Sequence, residues 1–179
     1  MAYPWYETVS NHNDLQQGDF IPDCPILLPP PEIKEDAELS ITVTLIDSVI
    51  LSQSCDLANG KIDIVLVCPF YSLRTFLDSL PVEQVKGNGK KRKIDDLRKG
   101  YIPGYHLLNK DNSIPALLDY QVVDFRNVYG IHFTALQEVA HKLGDRTRLL
   151  PPYREHLSQS FARYFMRVGL PQDIVVDGY

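Results

Sequence analysis

Five side chains able to do chemistry crowd into one stretch, VILSQSCDLANGKIDIVLVCPF, residues 49–70. Ser52, Ser54 and Cys55 are candidate nucleophiles or hydrogen-bonding groups, and Asp56 and Asp63 are candidate bases or ligands for a hard cation. Two apolar runs flank Asn59-Gly60, a dipeptide suited to a two-residue type I′ hairpin turn. Such a turn would pair Ala58 with Lys61 and bring Leu51 opposite Cys68. Side-chain alternation then puts Gln53 and Cys55 on the apolar face and gathers Ser52, Ser54, Asp56 and Asp63 on the other. Asp56 opposite Asp63 is a like-charge pair, costly unless solvated or bound to a cation or donor. Three readings stay open: a solvated strand end beside a turn, a polar binding groove, or Cys55 as a nucleophile with a histidine brought from elsewhere.

A second candidate is electrostatic. Residues 86–99 carry seven bases, Lys90, Lys91, Arg92 and Lys93 at their centre, against Asp95 and Asp96. With its glycines, KGNGKKRK reads as an exposed basic loop for a phosphate or an acidic partner. It does not meet the Walker pattern. Arg163 and Arg167 lie one turn apart on the last helix, where Arg146, Arg148 and Arg154 could extend a basic end. The five histidines form no H-E-x-x-H, and no C-x-x-C occurs, so neither a metal site nor a cofactor is expected.

The elements that must position these groups follow from the hydrophobic pattern. QGDFI reads as a first strand at about 18–21, and the prolines after it as an extended connection. ELSITVTLIDSVILSQS is rich in β-branched residues and alternates at Leu39, Ile41, Val43 and Leu45, as one or two strands do. IDIVLVCPF is the next strand. Helices are expected at 73–80, capped by Ser72, at 134–143, ended by Gly144, and at 152–168, with a shorter one around KRKIDDLRKG. The last helix carries the stripe Tyr153, Leu157, Phe161, Tyr164 and Val168. Its further apolar residues Phe165 and Met166 widen the arc, so the helix is either clasped on two sides within the fold or contributes to a protein interface. YIPGYHLLNK and ALLDYQVVDFRNVYGI read as a hairpin around a polar loop near 110–113.

Together these predict an α+β chain built on a small antiparallel barrel decorated with helices and closed by a long C-terminal helix. The 179 residues are expected to form one domain. Residues 18–71 and 101–130 supply barrel strands, 72–100 a helical, basic insertion, and 131–179 the C-terminal helices. The chain is 44% apolar and 23% charged, the composition of a globular protein. No apolar run is long enough for a membrane helix, so no membrane partner is expected. The start, MAYPWYETVSNHND, lacks the features of a secretory leader. Three widely spaced cysteines suit a reducing cytoplasm. A net charge of −5 opposes general nucleic-acid binding, yet the charge is segregated. Residues 1–40 hold eight acids against Lys34 alone, so this acidic arm and the basic segment face each other or different partners.

The order of pieces resembles the SH3-like barrel of the MazF/PemK-like bacterial toxin endoribonucleases. The matching pieces are Gly18-Asp19, the strand from Asp47 to Ser52, Val65 to Tyr71, the run Asp124 to Val128, and the helix after Pro152. QGDF with ILSQSCDL also resembles a group of uncharacterised bacterial proteins. In the toxin-type pattern an arginine precedes the second strand and a threonine follows the third. Here those positions hold Asp47, and Tyr71 or Ser72. An acid cannot steady a developing phosphate charge as arginine does. The resemblance therefore implies a barrel without the cleavage chemistry: a non-catalytic bacterial interaction or regulatory protein in a complex. Its protein partner and oligomeric state are not specified by the sequence, and nucleic acid would enter through residues 86–99. The alternative is a nuclease or other hydrolase on the polar hairpin face, with Asp56 or Asp63 as base or Mg²⁺ ligand and Arg126 or Arg154 as anion clamp.

Overall fold

The computed structural model describes residues 3–30, 32 and 41–166. In chain order these hold β1 (Tyr6–Val9), β2 (Phe20–Leu28), β3 (Thr42–Ile50), α1 (Ser54–Ala58), β4 (Ile64–Ser72) and α2 (Leu73–Asp78). There follow α3 (Val82–Val85), α4 (Gly89–Arg98), β5 (Tyr105–Leu108), β6 (Gln121–Asp124), β7 (Tyr129–His132), α5 (Phe133–Leu143), β8 (Arg146–Leu149) and α6 (Tyr153–Phe165). The class is α+β with antiparallel sheets. The larger sheet runs β2-β3-β4-β6-β5, with β7 beside β4, and β1 pairs with β8 in a separate ribbon. A single bridge, Asp19 to Arg148, ties that ribbon to the start of β2. The sheets do not close into a barrel among the described residues.

β4 is the spine. Its first residues pair with β7, its middle with β3 and its end with β6. One buried cluster joins Phe20, Val49, Phe70, Phe125, Leu149 and Leu157; a second joins Ile21, Ile50, Val65, Val67 and Leu136. A third, with Phe76 and Leu97, seats α2 and α4 on β6. Leu157 is the buried residue of α6, while Phe161 and Tyr164 pack on Phe125 half-buried. Val168 lies outside the described residues.

Four expectations are corrected. First, no hairpin turns at Asn59-Gly60. Asn59 has φ −98°, and a type I′ turn needs positive φ at both central residues. Residues 54–58 instead form α1, closed by Asn59 Nδ2 donating to the Cys55 carbonyl and by Lys61 N donating to the Asp56 carbonyl. Strand pairing begins only at Ile50 opposite Val67, so the register differs from that of a tight hairpin. Second, the first part of the proline-rich run, residues 22–28, is strand. β2 is an edge strand, where Pro25 loses no ladder bond it needs, and Pro22 sits at a register shift between Ile21 and Cys24. Third, KGNGKKRK is loop only at its start: the short helix expected around KRKIDDLRKG is present as α4 and begins at Gly89, so that it takes in Lys90 as well as Lys91, Arg92 and Lys93. Ile94 and Leu97, three residues apart, give that helix its inward side. Fourth, β1 and β8 were not expected as strands. They are four residues each, and Arg146 and Arg148 of β8 are buried.

Candidate functional site

The QGD and SQS motifs meet and clasp one another. Gln17 N donates to Ser54 Oγ at 3.1 Å, and Gln17 Nε2 to the Leu51 carbonyl at 2.6 Å. Gly18 N donates to the Ile50 carbonyl and Ile50 N to the Asp19 carbonyl. Gly18 has φ +85°, and a Cβ there would lie 3.0 Å from the Leu149 Cβ, so only glycine fits. Ser52 Oγ accepts from Leu66 N at 2.8 Å, where the ladder has lost its regular partner. Both serines thus serve the backbone, which explains polar residues where a greasy strand was expected.

Asp19 is the hub below this clasp. It is fully buried and takes bonds from Arg146 Nε and from Arg148 Nε and a terminal nitrogen. Further guanidinium N–H groups go to the carbonyls of Ser10, Asn13 and Asp14. These two arginines are internal braces, so they do not form a basic end with Arg163. Arg154 is spent on Glu155 and Gln16.

The remaining hairpin candidates do not converge. Cys55 is exposed on α1, with Gln53 and Asp56 as its sulfur neighbours. Asp56 lies on the same short helix and Asp63 in the loop before β4, so the like-charge pair does not form. Arg126 is committed elsewhere, with Nε and one terminal nitrogen on Asp124 at 2.9 and 2.7 Å. No group of three or more His, Cys, Asp or Glu among the described residues could hold a metal ion.

The toxin-type positions do come together. Asp47, Tyr71 and Ser72 line one cavity of about 460 Å³, with Phe20, Gln121 and Asp145. Its lining holds two acids and no lysine or arginine. Asp47 has a structural duty there, since its Oδ1 accepts the Asp23 N–H at the β2 bulge, where Asp23 has φ +49°. Beside the cavity, Tyr71 donates to Asp124 Oδ2, and Arg126 stacks over Tyr105. Burial and the Asp124 charge push the Tyr71 hydroxyl well above its ordinary range. Burial opposes ionisation of Asp124, but the bonds from Arg126 and Asn127 prevail and hold its carboxyl below the usual value. A Tyr–Asp–Arg set fixed this way is a closed network with no free nucleophile.

The basic segment has a different geometry. Three hollows meet at Arg98. One, about 510 Å³, is lined by Trp5, Leu73, Ile94, Leu107, Asn109 and Tyr120. A second, about 530 Å³, runs along α4 past Lys91 and Arg92. The third, about 340 Å³, lies between the end of α4 and α6, with Lys99, His106, His156 and Arg163 on its walls. Arg163 and the α4 segment, separate candidates in the sequence, therefore share one surface. Arg167 lies outside the described residues, as do Lys34, Glu35, Asp36 and Glu38 of the acidic arm. Trp5, Tyr120 and His106 were missed by sequence reasoning. Their only signal is aromatic character, which the core needs as well. Comparison with protein-family models and with curated proteins gives no match for this chain.

Proposed function

We propose that the chain is a non-catalytic interaction module working within a protein complex of the bacterial cytoplasm, on a scaffold of SH3-like type. One observation carries the reading. On the outer half of the β2–β3 ribbon, Leu27, Val43 and Leu45 stand on one face, Leu27 opposite Val43, and Ile41 continues the row. Each is more than half exposed. The opposite face, with Ile26, Leu28 and Ile46, packs on the second core cluster beside Val139 and Leu143 of α5. β3 leaves β4 after three pairs, so among the described residues the outer ribbon has no strand neighbour besides itself. An alternating apolar row normally marks the core side of a strand. Here it is presented outward, as a protein-binding surface is.

The cytoplasmic assignment draws support from the cysteines. Cys24 and Cys68 are free and buried, and burial pushes their thiols up to about 11 and about 12. They act as small hydrophobes and carry no disulfide framework.

A Val43→Asp/Leu45→Asp variant should keep its denaturant midpoint, because exposed substitutions usually stay within about 0.5 kcal/mol each. It should lose the proteins that the parent chain captures in its native host, measured by quantitative mass spectrometry of both pull-downs. Identical captured sets would remove the ribbon from the interaction. The purified chain is also expected to leave single-stranded RNA uncut with or without Mg²⁺. The acid-lined cavity at Asp47 offers no cation to a developing phosphate charge. Specific products that disappear in a Tyr71→Phe variant would restore the nuclease alternative.

A further inference from the structure

The geometry points to a single-stranded nucleic-acid site centred on Arg98, where a basic helix, an arginine of α6 and a recessed aromatic hollow adjoin. Residues 86–99 hold seven bases against two acids, in a chain with 18 against 23 overall. One of those acids, Asp95, is shared by Arg98 at 2.8 Å and Lys99 at 2.6 Å, which orients both cations. Lys91, Arg92 and Arg163 make no ion pair among the described residues. The five cations line two hollows that share Arg98 as common wall. That spread exceeds one phosphate and suits a strand of several.

The adjoining hollow supplies what bases need. Trp5 is fixed by stacking on Tyr153, with ring centroids 3.5 Å apart. Tyr120 lines the same hollow, and Lys110 stands 5.8 Å over the Tyr120 ring. Asn109, whose side-chain amide has no partner among the described residues, provides a hydrogen-bonding edge. The hollow shares both Arg98 and Leu107 with the cationic cleft. An unstacked base and its flanking phosphates would thus be served by neighbouring walls. Aromatic platforms beside a basic groove are how sequence-tolerant single-strand binders work. Trp5 is partly buried and Tyr120 is 37% exposed at the rim, so an unpaired base can lie on them, whereas a base held inside a duplex already has both faces covered by its neighbours. A polyglutamate would use the cations but has no ring to place in the aromatic hollow. This site is independent of the β2–β3 ribbon and is tested separately from it.

The test is fluorescence anisotropy of the full chain with labelled 12-mers of oligo-dT and oligo-rU, a duplex of equal length and a 12-residue polyglutamate. Binding to either single strand, weaker for the duplex and the peptide, is expected; the better of the two single strands identifies the sugar. Single-strand release of counterions is worth ~0.7 in log–log salt slope per phosphate contact, so five contacts give a slope between roughly −3 and −4. Arg98→Ala/Arg163→Ala should lower affinity at least tenfold and flatten that slope by about 1.4. Tyr120→Ala should lower affinity about fivefold or more and leave the slope unchanged, since it removes stacking and no charge. All three side chains are exposed or near the rim, and thermal melts check that the variants fold. A Lys91→Glu/Arg92→Glu pair on the outer helix face gives a second reading should the first fold poorly. Absence of binding, equal affinity for duplex or polyglutamate, or variants that bind as the parent does would overturn the assignment.

Discussion

Asp19→Ala is expected to cost about 3–5 kcal/mol, the range for breaking a buried ion pair from one side. The reason is the imbalance left behind. Arg146 and Arg148 are 3% and 6% exposed, and Asp19 is the carboxylate between them. Removing it strands two guanidinium groups whose other partners are neutral carbonyls of the 10–14 segment. Asp19→Asn should behave almost as badly, because an amide nitrogen would face arginine donors with another donor. The damage would not stay local. Asp19 Oδ2 also accepts from Gln16 N, and its backbone carries the clasp to Ile50. The measurement is urea unfolding of the parent and both variants. An unchanged midpoint would mean that the network is not a brace, and that Arg146 and Arg148 are available for another role. A second comparison isolates the charge term. Arg148→Met placed on Asp19→Ala should recover part of the loss, because it removes one of the stranded cations.

This network also shows where the sequence is opaque. The helices at 73–78, 133–143 and 153–165 were legible because their apolar positions recur at helical spacing and their ends carry Ser72, Gly144 and the proline before Tyr153. The β5–β6 hairpin was legible from its two apolar runs. β8 was not, because Arg146-Thr147-Arg148 looks like surface until Asp19, more than a hundred residues earlier, is placed beside it. The SQSCD segment misled for a related reason. Local pattern offered a hairpin, but the serines are engaged by Gln17 and Leu66, which are tertiary neighbours. The ribbon row at Val43 and Leu45 was visible as alternation, while its outward direction depends on where β3 parts from β4. The charges of the α4 surface were equally visible. Their meeting with Arg163 and Trp5 is set by how α6 and the N-terminal strand pack.

His106 makes the cleft beside α4 a determinant of acid stability. It sits on β5 between Phe125, whose ring stacks 6.2 Å away, and His156 of α6. Burial, with a smaller contribution from His156, pushes it down to about 4 from an ordinary 6.5. The charged groups facing it across the cleft are Arg98, Lys99 and Arg163, with no carboxylate among the lining residues. The folded chain therefore holds His106 neutral where the unfolded chain would protonate it. Between pH 6.5 and 4 the unfolded state binds more protons, so stability falls as pH falls through that window and levels off below it. The full window is worth about 3 kcal/mol at 1.36 per unit, and about 2 kcal/mol of it is lost by pH 5. Asp124 is protected in the opposite sense and contributes above its ordinary value near 3.8, so its loss comes at lower pH and does not overlap the interval from 7 to 5. His106→Gln removes the titrating ring but keeps a polar side chain. Urea midpoints for the parent should drop more between pH 7 and pH 5 than those of His106→Gln, by about 2 kcal/mol once converted. Parallel pH profiles for the two chains would show that His106 is solvated in the fold, and the cleft would then be open to water rather than built against Phe125.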